Sequence, residues 1–449
     1  MRSLLACIAA FMFLFAGTPS ASEPPWTKFS NSHEILLDGI HAHNFLQQGL
    51  SQFNRDYHSL FGLKDALEFL QSQGFGLNEL RTGAITPQAL AASDTLLISL
   101  VSDNLPPFLV EEILAIEHFV RNGGNILVLT DHSNTYHHVW KLLPLFKVLG
   151  IRLYNESVLE KAPFKVGPGP GWINISRFKP HPVSANLSVI GFHTGGPVDE
   201  QGGIAFSSEF SWGDKWGTAP YGENSLTFGN RGNYGNFVQD PGERKGPLSV
   251  IMARQIDKGK VVVIGDQNVF GNLWIRYGDN YRLFMNVFHW FSGKNSLLNY
   301  DVFLSEADRR ILLLDNLRDS RFGDYGENGL YHAYTLLSRR YDTYISDRIE
   351  HNFDLILASP SITDFNEWQV KALKRHLAQG KQLIILADSK NRILHKQLSS
   401  STNSTADGIT RLENYLRFGN NSLASPTKSP TPKQAKAAAQ WYDYIKQFL

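Results

Sequence analysis

Three short stretches carry the side chains best suited to chemistry. The first is Asp38-x-x-His41 with His43 and Asn44 close behind, the second is Asp131 directly before His132, and the third holds Asp266, Asn268, Asn272, Asp279 and Asn280. A carboxylate beside an imidazole can move a proton or hold a hydroxyl-rich ligand. Asp38, His41, Asp131 and His132 together could also supply the oxygen and nitrogen donors of a divalent metal such as zinc. No His-Glu-x-x-His or comparable fixed spacing accompanies them. The same residues therefore also read as hydrogen-bond ties between loops and strand ends, since short Asp and Asn side chains readily bond nearby backbone. His137 and His138 open an apolar helical stretch through Leu142, Leu143 and Phe146, which makes them helix-surface histidines.

Thiol chemistry is excluded by composition. Cys7 is the single cysteine of the 449 residues, and it lies inside an apolar run at 4–15. That run follows Met1-Arg2 and precedes the small residues of 17–22, so residues 1–22 read as a secretory signal cleaved near Ala21 or Ser22. The processed chain then has no disulfide, no thiolate metal site and no cysteine nucleophile. It is expected to be periplasmic or secreted, without an integral membrane segment once the signal is gone. Neither Ser102 nor Ser133 has the flanking glycines of a nucleophile elbow, so serine does not replace the missing thiol. A formal net charge of +1 provides no field to attract nucleic acid.

The elements that must position these residues form an α/β pattern that occurs twice. The first pass runs ILLDG at 35–39, a helix at 63–73, TLLISL at 95–100, a helix at 111–121 and GGNILVLTDH at 123–132. The second runs ILLLDN at 311–316, a helix at 330–340, DLILAS at 354–359, a helix at 367–378 and GKQLIILADS at 380–389. Residues 119–131 align with 376–388 without a gap. Each pass puts an aspartate at the carboxyl end of its first and last strands, Asp38 and Asp131, then Asp315 and Asp388. Ligands of open parallel sheets bind at that edge. The first pass surrounds it with His41, His43, Asn44, His132 and Asn134, and the second with Arg318, Asp319, Ser389 and Lys390. The first is therefore the working half and the second a diverged structural partner.

With 42% hydrophobic and 12% aromatic residues the chain can build cores for more than one such unit. The expected organisation is a first domain at 33–294, a reduced second one at 300–398, a flexible linker at 399–433 and a terminal helix at 434–449. The first domain carries an insertion at 155–245 rich in Gly, Pro, Asn and aromatic residues, with GPGPGW at 167–172 and FGNRGNYGNF at 228–237. Trp172, Trp212, Trp216, Tyr221, Tyr234 and Trp274 could stack on a sugar ring or simply pack. After the insertion, 248–256 and 260–266 read as a hairpin, followed by a helix from Asn280 whose amino terminus Asp279-Asn280 are suited to cap.

ILLDGIHAHN, FVRNGGNILVLTDH and KVVVIGDQNVFGN followed by GDN and NVFHWF resemble, in that order, the exported bacterial branch of the class I glutamine amidotransferase-like superfamily. Gliding-motility and intraflagellar-transport domains are distant relatives of that branch. The resemblance implies tandem flavodoxin-like layered folds with mostly parallel sheets. Family amidotransferases carry cysteine at a sharp strand-to-helix elbow, and here the comparable strand runs into Thr130-Asp131-His132-Ser133. Cysteine-dependent glutamine hydrolysis is thus excluded. The expected function is binding of a small polar ligand, carbohydrate or cell-envelope derived, or of an envelope protein, with no cofactor. An Asp/His hydrolase, with or without a divalent metal, and a structural subunit of an envelope assembly are the alternatives.

Overall fold

The computed structural model describes residues 33–41, 62–102, 105–161, 165, 171–215, 235–293, 309–324, 329–338, 341–387, 398, 409–413 and 443–448. In chain order the first half contains β1 (Glu34–Asp38), α1 (Lys64–Ser72), β2 (Gly76–Leu80), α2 (Pro87–Ala91), β3 (Thr95–Ile98), α3 (Val110–Arg121), β4 (Asn125–Leu129) and α4 (His138–Val148). Short strands follow: β5 (Glu156–Leu159), β6 (Trp172–Ile175), β7 (Arg177–Phe178), β8 (Ile190–His193), β9 (Gly203–Phe206), β10 (Trp212–Lys215) and β11 (Arg244–Lys245). The hairpin β12 (Ser249–Ile256) and β13 (Gly259–Ile264) leads to α5 (Asn280–Ser292). The second half contains β14 (Arg310–Leu314), α6 (Tyr331–Ser338), β15 (Asp342–Ser346), β16 (Leu355–Ala358), α7 (Glu367–Ala378), β17 (Gln382–Ala387) and β18 (Ile409–Glu413).

Among the described residues the larger sheet has the order β2-β1-β3-β4-β13-β12-β9-β7, parallel from β2 to β13 and antiparallel beyond. The smaller has the order β15-β14-β16-β17-β18 and is parallel throughout. In both sheets the first strand in sequence lies between its two successors, so the winding reverses there and a crevice opens at the carboxyl ends. The protein has an α/β, flavodoxin-like layered fold with mostly parallel sheets. α3 and α7, and β4 and β17, fall at matching positions of the gapless alignment, Val110 with Glu367 and Asn125 with Gln382.

The strands alternate faces as period-two geometry requires. Leu36, Leu96, Ile126, Val128 and Val263 pack on one face of the larger sheet. Leu37, Leu97, Leu127, Leu129 and Ile264 pack on the other, in a core that includes Phe284 and Phe288 of α5 and continues to Leu312, Ile356 and Leu383 of the smaller sheet. Local signals fix the helix ends. Glu112 Oε2 accepts the Leu109 backbone N–H at 2.7 Å at the start of α3. Asn366 and Gln369 cap α7 reciprocally, side chain to backbone, at 2.8 and 3.1 Å.

Two expectations need correction. Ile409–Glu413, inside the stretch read as linker, is a strand paired with β17, because its β-branched and apolar residues find an open parallel edge. Asp279 does not cap α5 with its side chain, which turns instead to the Ser188 and Val189 backbone N–H groups at 2.6 and 3.2 Å. Of the terminal helix, residues 443–446 are helical and Ile445 is buried in the core of the second half. No helix among the described residues is long and apolar enough to cross a membrane.

Candidate functional site

Asp38 leaves β1 and turns the chain back on itself. Its Oδ1 accepts the backbone N–H groups of Ile40 and His41, both at 3.0 Å, and lies 3.1 Å from His41 Nδ1. The other ring nitrogen of His41 is 3.3 Å from Glu112 Oε2, and the ring stacks on Phe108 with centroids 4.1 Å apart. Glu112 Oε1 also accepts the Ile85 N–H at 2.8 Å. All three side chains are buried. His41 is therefore a clamp between two carboxylates that each also hold backbone. Glu112 was not among the expected residues; in the sequence it reads only as a first-turn helix acid.

Asp131 and His132 form a second pair at the end of β4. His132 Nδ1 is 2.5 Å from Asp131 Oδ1 and 3.1 Å from the Thr194 carbonyl oxygen, and His132 Nε2 is 3.0 Å from Thr135 Oγ1. On the neighbouring strand end, the fully buried Asp266 accepts N–H groups from Asn268, at 2.8 Å, and from His193. Burial first, and then the charge of Asp131, push the Asp266 carboxyl well above the usual range, against the pull of those two N–H bonds. His193, which the sequence reading missed, lies at the end of β8 with its ring 3.5 Å from that of Trp274; burial holds it well below the usual imidazole value. Its position inside the Gly-rich insertion gave no signal of this.

The loop that leaves this pair is strained. Ser133, Tyr136 and His137 have φ of 45°, 53° and 56°, a left-handed backbone that non-glycine residues seldom adopt. His137 stacks on Trp140 with centroids 4.6 Å apart, and Trp140 is 51% exposed. His138 lies inward rather than on the helix surface. Its Nδ1 donates to the Thr135 carbonyl at 2.7 Å, and burial lowers its pKa to about 4.

The remaining candidates hold backbone elsewhere. Asn272 Oδ1 accepts the Asp65 N–H at 2.9 Å at the start of α1. Asn280 clasps Gly191 of β8, accepting its N–H at 2.9 Å, and donates to the Trp274 carbonyl. Asp279 pairs with Arg282 at 3.4 Å and with Arg348 of the second half. Trp172 and Trp274 pack edge to face, centroids 5.3 Å apart, in the core shared with Tyr331 and Tyr334. His43, Asn44, Trp216, Tyr221, Tyr234, Asp388, Ser389 and Lys390 lie outside the described residues. The structure thus brings Asp131, His132 and Asp266 to adjacent strand ends, while Asp38 and His41 stand two strands away, beyond β3. Among the described residues, no group of three or more His, Cys, Asp or Glu side chains is placed to hold a metal ion.

The second half uses its strand-end carboxylate similarly. Asp315, after β14, accepts N–H groups from Arg321 and Phe322 at 2.9 and 3.0 Å and hydroxyls from Ser320 and Ser361 at 2.7 and 2.6 Å. Burial raises its pKa despite those bonds.

No curated protein matches the chain. Solved structures similar to it include the mmIFT52 N-terminal domain, at 14% identity and TM-score 0.40, covering 58% of this chain and 98% of that one. Others are ThuA-like proteins from Bacteroides uniformis (14%, TM-score 0.33, 62% of this chain and 98% of that) and Parabacteroides merdae (13%, TM-score 0.33, 60% and 94%). Residues 58–288, more than half of the chain, match the family described as a domain of unknown function (DUF4350), and the chain belongs to that family.

Proposed function

We propose that this protein is an exported α/β binding protein, a duplicated relative of the glutamine amidotransferase-like domains without their chemistry. It holds a polar ligand of the cell envelope, carbohydrate in kind, or an envelope protein. The carrying observation is the loop after β4, where three non-glycine residues sit left-handed and the half-buried His137 backs the exposed Trp140 ring, which it stacks on. Strain of that kind persists only where the surroundings enforce it, and it gathers at functional sites. In the same loop His132 bonds both Asp131 and Thr135. Their polar atoms are engaged with backbone and with each other, which suits a rigid platform better than a nucleophile and its base. Leu109, Val110, Leu114 and Leu143 on α3 and α4 or at their start are each more than half exposed, apolar side chains of the sort partners cover. The test is cosedimentation of purified protein with isolated envelope glycan, beside glutaminase and glycoside hydrolysis assays. Association without turnover is expected, and turnover or absence of association contradicts the reading.

A second reading, an Asp/His hydrolase, is favoured by one observation. Asp131 and Asp266 follow neighbouring strand ends, and burial with the charge of Asp131 raises the Asp266 carboxyl well above its usual range, the direction a general acid needs. Metal analysis belongs to the same test: stoichiometric zinc lost on His132→Ala, together with turnover, favours the hydrolase.

A further inference from the structure

The opposite edge of the larger sheet holds a cavity that none of the expected site residues line. It occupies about 570 Å³, within the roughly 300–1,000 Å³ of ordinary small-ligand sites. Its walls come from segments near the amino ends of strands: Ser93 and Asp94 before β3, Asn122 to Asn125 leading into β4, the end of α2, and Phe291 at the end of α5. Gly124 forms part of the wall because a side chain there would meet the Phe119 ring, so Phe119 lies over bare backbone.

Three features define what would bind. Ser93 lines the cavity, and its Oγ, buried beneath the wall, has no hydrogen-bond partner. An orphaned hydroxyl costs stability of the order of 1–3 kcal/mol, which a ligand hydroxyl would recover. Asp94 is the lining carboxylate; its Oδ2 accepts the Glu34 N–H at 2.8 Å. No lysine or arginine lines the cavity among the described residues, and the carboxyl-terminal end of α3, with its partial negative charge, faces it at His118 and Asn122. With one carboxylate and the imidazoles of His33 and His118 but no lysine or arginine among the described residues of the wall, neutral or amine-bearing groups are favoured over anions. Phe119 and Phe291 add flat apolar walls beside the polar groups, a mixture that suits the two kinds of face on a sugar ring.

We infer that this amino-edge cavity is a second binding site, taking a neutral sugar or amino sugar and rejecting acidic ones. It is independent of the carboxyl-edge platform, so either can fail alone. Saturation-transfer NMR on the full chain, with glucose, glucosamine and glucuronate as probes, tests it. Transfer to glucose and glucosamine, and little to glucuronate, is expected. Ala91→Trp, an exposed position on the cavity wall, should abolish transfer without moving the melting temperature. Ser93→Ala, which removes a hydroxyl bonded to nothing, should fold normally and weaken binding by up to about tenfold. Absence of transfer to both uncharged and amino probes, preference for glucuronate, or transfer unaffected by both substitutions would overturn the inference.

Discussion

Asp131 and Asp266 each lie two residues beyond the ends of neighbouring parallel strands, whose last pair is Leu129 with Ile264. Both are buried, and the charge on Asp131 adds to burial in raising the Asp266 pKa. A group whose pKa is raised on folding stabilises the fold below its unfolded value, and that contribution disappears as pH rises through the folded value. Asp131→Asn should therefore bring the Asp266 titration down toward the ordinary carboxylate range and soften the loss of stability at rising pH. Carboxyl carbon NMR reads the first effect directly. An Asp266 titration unmoved by the substitution would show that Asp131 does not contribute.

The Asp38–His41–Glu112 clamp should behave as structure. His41→Ala leaves two buried carboxylates facing an empty space, and breaking a buried pair in this way costs roughly 3–5 kcal/mol. Urea denaturation measures it. A loss below about 1 kcal/mol, the level of an exposed ion pair, would mean that the clamp is not closed in solution.

Asp214 supplies a pH dependence of its own. Burial, with smaller contributions from Glu243 and Asp240, raises its pKa from 3.8 to about 7, although the Phe237 and Asn236 N–H groups pull the other way. The folded chain holds a proton there that the unfolded chain releases near pH 4, so this contribution is full below that pH and is lost as pH rises through about 7. Asp214→Asn should remove that part of the slope. Parallel slopes for both proteins across pH 4 to 8, each read against its own value at the acid end, would reject the assignment.

His137→Gly separates strain from stability. Glycine takes φ near 56° without a steric penalty but adds freedom to the unfolded chain, so the two effects offset to within about 1 kcal/mol. The variant should melt close to wild type while losing the His137–Trp140 stack. A drop of several degrees would place His137 among residues retained for stability.

Much of the fold is legible in the sequence because buried parallel strands read as unbroken apolar runs, as at β1, β4, β14 and β17, and because α3 and α7 carry period-3.6 patterns with caps. β2 and β15 were not legible. GLNEL and DTYIS mix polar residues into edge strands, where one side of the ladder is open and the apolar signal weakens. Of the site, the strand-end aspartates could be read from the pattern alone. The groups around them could not, since Glu112 meets His41, Thr194 meets His132 and His193 meets Asp266 by folding rather than by spacing. The cavity at the amino edge gave no signal either, being made of short segments from four separate places in the chain.

The most direct test of the central claim is quantitative cosedimentation with envelope glycan of wild type, His137→Gly and Trp140→Ala, with melting curves on the same preparations. The platform account expects both substitutions to reduce association at least about tenfold, equivalent to some 1.4 kcal/mol, while all three proteins melt together and none hydrolyses the glycan. Unchanged association by both well-folded variants would contradict it.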